Sequence, residues 1–439
     1  MKAKRIVMFL LLAVLTLSFN VYGSTPANVP AKVTGPVKIQ VWHTRAAGAN
    51  GDQIADSIEK FNATNKLGIT VEEVYQGNYE NTLAKTMQAI AAGTNPQIVV
   101  LERAAGVPVL ASQGVLLDML PYARRDNFDL NNVVAAFRAY SVYQGQLIAM
   151  PYIRSTPLFF YNKGMFEAAG IKEPPKTIKE LVEVGKKLTV VNKGETLVYG
   201  FEMLNDPAWF VQNMLCQLGS NLFSADGKSV PALKDGTMLK VLTAWREWVD
   251  EGWCAAPTVT KAESTMKDLF NQGKIASYFA SSGGMTNILK NAKVAGVQVG
   301  VAFLPTWDKP SAPLGGGNIA IIKKNNNDQQ MAAAWEFIKF LMTDDQVASN
   351  AANTGYLPVT YSSVKTDTIV NLWKTSPEYK VSFDQLAIGQ EMPWSPYGAE
   401  FIGVLKTVCS ELIMDRSITA KQAVATLERE ASVIFPRAK

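Results

Sequence analysis

Apolar and polar positions alternate from Val37 to Trp42, as in a half-buried strand. From Asp52 to Asn65 the apolar residues change to helical spacing, with Ile54, Ile58 and Phe61 on one face. Ile69–Tyr75 reads as a second strand. Tyr79–Ala92 reads as a helix with Leu83, Met87 and Ile90 on its stripe and Gly93 as its stop. Ile98–Leu101 is a continuous apolar run, the mark of a strand covered on both faces. The first third of the chain thus predicts β-α-β-α-β, a layered α/β domain.

The middle of the chain is richer in helices. Thr177 with Glu180 forms a capping-box pattern ahead of Leu181, Val184 and Leu188. The spacing predicts a helix over 237–248 with Leu239, Leu242, Trp245 and Val249 inward. It predicts a helix end, Gly turn and strand over 270–276 and a strand over 319–322. Another helix is expected over 331–342, carrying Trp335, Ile338 and Leu341, and two terminal helices near 400–414 and 420–434. Pro and Gly cluster at 150–157, 304–317 and 354–360. Three breaks of this kind fit three crossovers between two lobes.

The N-terminus reads as an address. Lys2, Lys4 and Arg5 precede an apolar run of 14 residues from Ile6 to Phe19, too short to span a bilayer comfortably. Val21 and Gly23 stand at the −3 and −1 positions of a cut before Ser24, so residues 1–23 read as a secretory signal peptide. Residues 24–36 read as a flexible lead-in. Without the three leading bases the formal charge falls from +5 to +2, so the chain has no electrostatic footprint for nucleic acid. Cys216, Cys254 and Cys409 are an odd set. Cys216 and Cys254 form a disulfide in one reading and remain buried thiols in the other.

The 439 residues exceed one compact core and call for at least two domains. A single histidine, His43, excludes His–His zinc sites. It falls at the end of the first strand and reads as a loop residue near a cleft rim. No phosphate loop, dinucleotide fingerprint, nucleophile elbow or Cys-x-x-Cys is present, so no cofactor and no metal is implied. A glycosidase needs two carboxylates about 5 to 10 Å apart, and no pair is singled out. Trp42, Tyr79, Tyr152, Trp209, Tyr356, Trp394 and Tyr397 lie in loops beside Gly, Pro or Ser. Aromatic faces with nearby hydroxyls suit sugars and polyols.

Four short segments add a resemblance: Gly77-Asn78-Tyr79-Glu80; Ser155-Thr156-Pro157 with Phe160-Tyr161-Asn162-Lys163; Ala280-Ser281-Ser282-Gly283; and Thr354-Gly355-Tyr356-Leu357-Pro358. In this order they resemble the extracytoplasmic solute-binding proteins of ABC importers, in the carbohydrate-type group, and within it the glycerol-3-phosphate binders. The resemblance implies a two-lobe periplasmic-binding-protein fold of type II with crossover hinges. Lobe I is expected from 37–152 plus 312–358, and lobe II from 157–308 plus 362–439. It also implies an exported monomer in the periplasm or at the cell surface, with a permease as partner and no catalysis. An exported carbohydrate-active or phosphodiester-cleaving enzyme is the alternative.

The resemblance places Tyr79, Glu102, Ser155, Trp209, Ser282, Gly316, Tyr356 and Tyr397 at the ligand. Backbone N–H groups at 315–317 are expected to approach an oxyanion. Two positions depart from the family. Its phosphate-binding arginine is replaced by Tyr397, with Arg154 as a possible substitute, and a second cleft tryptophan is replaced by Asp206. Arginine's forked donors match phosphate in a way that tyrosine does not. The ligand is therefore expected to be glycerol-3-phosphate, a glycerophosphodiester or an uncharged sugar. Trp394 and Tyr397 are expected to stack on a sugar or face a choline group.

Overall fold

The computed structural model describes residues 29–103, 106–257 and 262–435. The signal-peptide reading lies outside the described residues. The opening unit is strand β1 (Val37–His43), helix α1 (Ala49–Thr64), strand β2 (Ile69–Tyr75), helix α2 (Tyr79–Ala92) and strand β3 (Ile98–Glu102), as the periodicity predicts. Asn78 caps α2 by accepting from the Asn81 N–H, and Gly93 ends it in the left-handed conformation.

Two five-stranded sheets organise the molecule. The first runs β2, β1, β3, then the 315–321 strand and the 150–155 strand. Its β1 pairs in parallel with β2 and β3, while the 315–321 strand returns antiparallel to β3. The second sheet orders the strands 254–255, 201–202, 277–281, 157–162 and 299–302. Each sheet carries its own apolar core. One gathers Ile39, Val41, Ile98, Val100, Ile319 and Trp335, and the other Phe159, Phe201, Trp245, Trp253 and Phe279. This is the two-lobe α/β architecture.

The strand Met150–Ser155 belongs to the first sheet and Pro157–Asn162 to the second, so the chain changes lobes across Thr156. Both strands are almost wholly buried. A break read from Pro and Gly is thus two paired strands joined by one residue. The second passage runs from the Val299–Ala302 strand to Ala312–Pro313 and Gly315–Ile321. In the third, Leu357 N–H donates to the Arg154 carbonyl at 2.7 Å, tying the 354–360 segment to the first hinge strand.

Several expectations are corrected. Residues 30–34 of the expected flexible lead-in are held to the body: Arg125 donates to the Pro30 and Ala31 carbonyls, and Thr34 donates to Gln329. On α2 the buried stripe is Thr82, Thr86 and Ala89, and Met87 is exposed. On the helix Thr237–Asp250 it is Met238, Val241, Leu242, Trp245 and Trp248, and Leu239 faces out. In both, adjacent apolar residues leave the phase open, and the packing partner selects it. The capping box at Thr177 is half formed. Thr177 accepts from the Glu180 N–H, but the Glu180 carboxylate takes the Lys176 N–H instead.

All three cysteines are free. Cys216 Sγ lies among Gln212 and Asn221 side chains, while Cys254 and Cys409 are buried. One contact runs between the segments expected in different lobes. The helix Asp367–Thr375 packs on the helix Asp344–Thr354 through Ala348, Ala351, Ile369 and Leu372.

Candidate functional site between the lobes

The hinge strand Gly315–Ile321 forms the floor. Gly316 pairs with Arg154 at φ +87°, and a Cβ there would meet the Ile153 carbonyl at 1.8 Å, so only glycine fits. A Cβ at Gly315 would stand 2.1 Å from the Trp209 ring, and one at Gly317 would stand 2.8 Å from the Tyr79 hydroxyl. The triple glycine therefore lets two aromatic side chains from opposite lobes rest on bare backbone. The Gly316 carbonyl accepts from the Arg103 N–H at 3.4 Å, so this stretch is also bound into its sheet.

Tyr79 opens α2 and Glu102 ends β3, where strand C-termini of open α/β sheets present ligand groups. Burial, with Tyr356 and Glu102 nearby, raises the Tyr79 hydroxyl well above its ordinary pKa. The Tyr79 hydroxyl therefore stays protonated near neutral pH. From the other lobe, Trp209 lies one turn into the helical stretch that begins where the Asp206 carbonyl accepts from the Trp209 and Phe210 N–H groups.

Tyr356 spans the lobes. The Arg45 guanidinium lies over its ring at 5.4 Å, and a Cβ at Gly283 would stand 2.4 Å from a ring atom. Arg45 is itself held by Tyr152 and Asn350. Ser282 is fully buried. Its N–H donates to the Thr156 carbonyl and its hydroxyl accepts from the Thr156 N–H, so it braces the hinge. Ser155 is buried at the same joint, paired with Gly315. Seven of the eight expected residues thus gather at one interlobe region.

Tyr397 has its ring contact elsewhere. It precedes the helix Gly398–Met414 and its ring packs edge-on against Phe435 at 6.2 Å, in the second lobe's core. Trp394, from the same loop, does reach across, meeting Tyr143 edge-to-face at 5.0 Å. His43 is corrected as well. It is the buried last residue of β1, its Nδ1 accepts from the Arg45 N–H, and burial with Arg45 lowers its pKa to about 4.

Sequence reasoning missed Glu391. Arg154 is fully buried and donates to Asn318 and Glu391, each at 3.1 Å, while its guanidinium lies over Phe137 at 4.9 Å and Tyr140 at 5.9 Å. Arg103 pairs with Glu102 and also lies over the Tyr140 ring, at 5.3 Å. Burial works against both charges of the Arg154–Glu391 pair, pushing Glu391 up to about 7 and Arg154 down. The two arginines of the floor are each matched by a carboxylate. No signal in the local sequence around Glu391 marks this role, because its partner is 237 positions away.

Asp206 stands at the edge of this region on the second lobe. Its carboxyl is raised to about 7 by burial, with Glu80, Glu263 and Glu102 opposing its charge and Lys406 favouring it. A cavity of about 650 Å³ opens beside it, bounded by Asn205, Glu263 and the helix residues Lys406, Ser410 and Glu411 among others. Among the described residues no group of His, Cys, Asp and Glu has metal-binding geometry.

The model of the bacterial extracellular solute-binding proteins matches residues 56–380. The chain belongs to that family. Among its relatives is the sn-glycerol-3-phosphate-binding periplasmic protein UgpB of Escherichia coli O1:K1, 26% identical over 384 residues and 84% of either chain. UgpB of Salmonella typhimurium is 26% identical over 372 residues, covering 81% of this chain and 82% of its own. The fold is shared with UgpB from Mycobacterium tuberculosis, solved in complex with glycerophosphocholine. Its TM-score is 0.81 at 22% identity, covering 92% of this chain and 99% of that one. The GacH receptor of Streptomyces glaucescens, solved with acarbose, has a TM-score of 0.78 at 19% identity, over 91% and 98%. Solute-binding families are thus met on both sides of the comparison, by sequence and by fold.

Proposed function

We propose that this protein is the exported capture component of an ABC importer, and that its ligand is a glycerophosphodiester or a related polyol in preference to glycerol-3-phosphate. The observation that carries the reading is the charge balance of the floor. Arg103 is matched by Glu102 and Arg154 by Glu391, so neither guanidinium offers a whole positive charge to a phosphate dianion. A diester carries a single negative charge, and a sugar none. Tyr79, Glu102 and Tyr356 supply hydroxyl and carboxylate partners for a diol, and Trp209 supplies a face for its C–H surface.

The relatives whose names state a ligand bind glycerol-3-phosphate, glycerophosphocholine or sugars, which supports the same class. Closure of the lobes over the ligand would form the surface that the permease meets. This role takes place outside the cytoplasmic membrane, in the periplasm where an outer membrane exists. The relatives are binding proteins, so the enzyme alternative draws no support from them.

Titration calorimetry against glycerol-3-phosphate, glycerophosphocholine, glycerophosphoglycerol, maltose and trehalose tests the reading. Saturable binding without turnover, tighter for a diester or a sugar than for glycerol-3-phosphate, is the expected result. Tight glycerol-3-phosphate binding that survives Arg154→Ala would overturn the argument from the floor's charges. Release of product from any of these compounds would overturn the binding role itself.

A further inference from the structure

Arg45 lies in the loop between β1 and α1 and is only 3% exposed. Its Nη1 donates to the Tyr152 hydroxyl at 3.1 Å and its Nη2 to the Asn350 side-chain carbonyl at 2.7 Å. Its guanidinium lies over the Tyr152 ring at 5.6 Å and over the Tyr356 ring at 5.4 Å. Among the described residues no carboxylate pairs with it, and its Nε has no partner. The Glu73 carboxylate stands instead 3.3 Å from His43 Nε2. A buried arginine is ordinarily paired with a carboxylate, as Arg154 is with Glu391. The charge of Arg45 is turned on two tyrosine rings.

Arg45 also reaches Tyr356 through the backbone. Asn350, which holds its Nη2, lies in the helix Asp344–Thr354. The Asn350 backbone carbonyl accepts from the Thr354 hydroxyl, and that hydroxyl accepts from the Tyr356 N–H at 3.0 Å. Gly355 between them is left-handed at φ +95°, and a Cβ there would meet the Ser282 carbonyl at 2.4 Å. The turn at 355–356 therefore rests on 282–283 of the second lobe, and Arg45 engages both the helix that ends in this turn and the ring that leaves it.

We infer that Arg45 is a positioning residue for Tyr356, holding its ring and hydroxyl where the closing lobes and the ligand meet them. Being buried, Arg45 acts through the tyrosine rather than on the ligand. The cation attracts the ring and strengthens the hydroxyl as a donor, because a nearby positive charge stabilises the electron density left on oxygen. The inference rests on the reading of Tyr356 as a ligand residue.

The test has two arms, both on the full mature chain. The first needs no ligand. Tyrosines are labelled as 3-fluorotyrosine, and the Tyr356 fluorine signal is identified by its loss in Tyr356→Phe. Burial raises the Tyr356 hydroxyl above its ordinary range, Arg45 opposes that rise, and Glu263 and Tyr152 add to it. In Arg45→Met the Tyr356 signal is expected to titrate at a higher pH than in the wild type, and in Arg45→Lys most of the difference should return. The second arm is calorimetry with the tightest binder among glycerol-3-phosphate, glycerophosphocholine, glycerophosphoglycerol, maltose and trehalose. Arg45→Met is expected to weaken binding about tenfold. In a Tyr356→Ala background the same change should cost less than about twofold, since a residue acting through Tyr356 has nothing left to position. Should Arg45→Met fail to fold, Arg45→Gln takes its place in both arms. An unmoved titration, or an equal loss of affinity with Tyr356 already removed, overturns the inference. Absence of binding to all five compounds removes the ligand reading, and the titration still decides whether Arg45 governs Tyr356.

Discussion

Gly283→Ala is a single methyl placed between the lobes. The added Cβ would lie 2.4 Å from Cε1 of Tyr356 and within 3 Å of two further ring atoms. The ring is also held by the Arg45 guanidinium, which lies over it at 5.4 Å and is tied to Tyr152 and Asn350. Overpacking a tight contact costs about 1–3 kcal/mol. Gly283 belongs to the turn after the 277–281 strand, whereas Tyr356 packs on the first lobe's core, so relief comes from moving the lobes apart or turning the ring away. Both remove Tyr356 from the ligand. The strain is then felt in binding more than in folding, and about 1–3 kcal/mol corresponds to roughly a five- to 150-fold weaker dissociation constant.

The assay pairs calorimetry on whichever ligand the wild type binds with thermal melting in its absence. The expected outcome is an affinity loss of at least fivefold with a melting temperature lowered by no more than a few degrees. An affinity within twofold of wild type would refute the reasoning, since it would mean that Tyr356 is not held against Gly283 when ligand binds. A large fall in melting temperature with affinity intact would place the contact in folding alone.

Three other outcomes follow from the same geometry. Glu391→Ala leaves the fully buried Arg154 without its counter-charge and is expected to destabilise by about 3–5 kcal/mol in urea unfolding; a loss under about 1 kcal/mol would show the pair to be dispensable. Asp126 is held well below the usual carboxylate range, first by Arg125 and then, against its burial, by Lys339 and Trp335. Its lowered folded pKa means that its contribution is present above the ordinary aspartate range, near pH 4, and is lost as pH falls below it. The melting-temperature gap between wild type and Asp126→Asn should therefore be widest near pH 6 and narrow toward pH 3, and a constant gap would contradict the linkage. Finally, burial raises the Cys216 thiol to about 11 and Cys409 to about 12. With no disulfide formed, a reductant should leave the melting curve unchanged and a thiol reagent should react slowly until the protein unfolds.

Local pattern carried much of the architecture. The alternation at β1, the helical spacing of α1 and the apolar run of β3 each appear where they were expected, because each is a short-range consequence of side-chain period. The three Pro/Gly breaks likewise fall where the chain passes between sheets, although the first proved to be two buried strands about Thr156. Phase within a helix was less legible. Met87 and Leu239 fit their stripes by spacing yet lie exposed, because Thr86 and Met238 stand beside them and the neighbouring layers chose those faces.

The site divides in the same manner. Tyr79, Glu102, Trp209 and Tyr356, expected from the resemblance, lie at strand ends, helix starts and loops around the 315–317 backbone. Tyr397 was placed by its position in a segment, and the structure sets its ring edge-on to Phe435 at 6.2 Å. Arg154 looked like a free cation beside Ser155, and the fold instead seals it under Phe137 and Tyr140 with Glu391.

The order of residues alone thus determined the class of fold and the elements of its first third. These depend on period, on backbone freedom at Gly and Pro, and on side-chain type, all of which are local. The tertiary structure alone decided which charges cancel. Arg154 with Glu391 and Glu102 with Arg103 are matched, pairings that no local pattern announces. Coulomb energy depends on distance and burial, and residues 154 and 391, 237 positions apart, meet only in the folded chain.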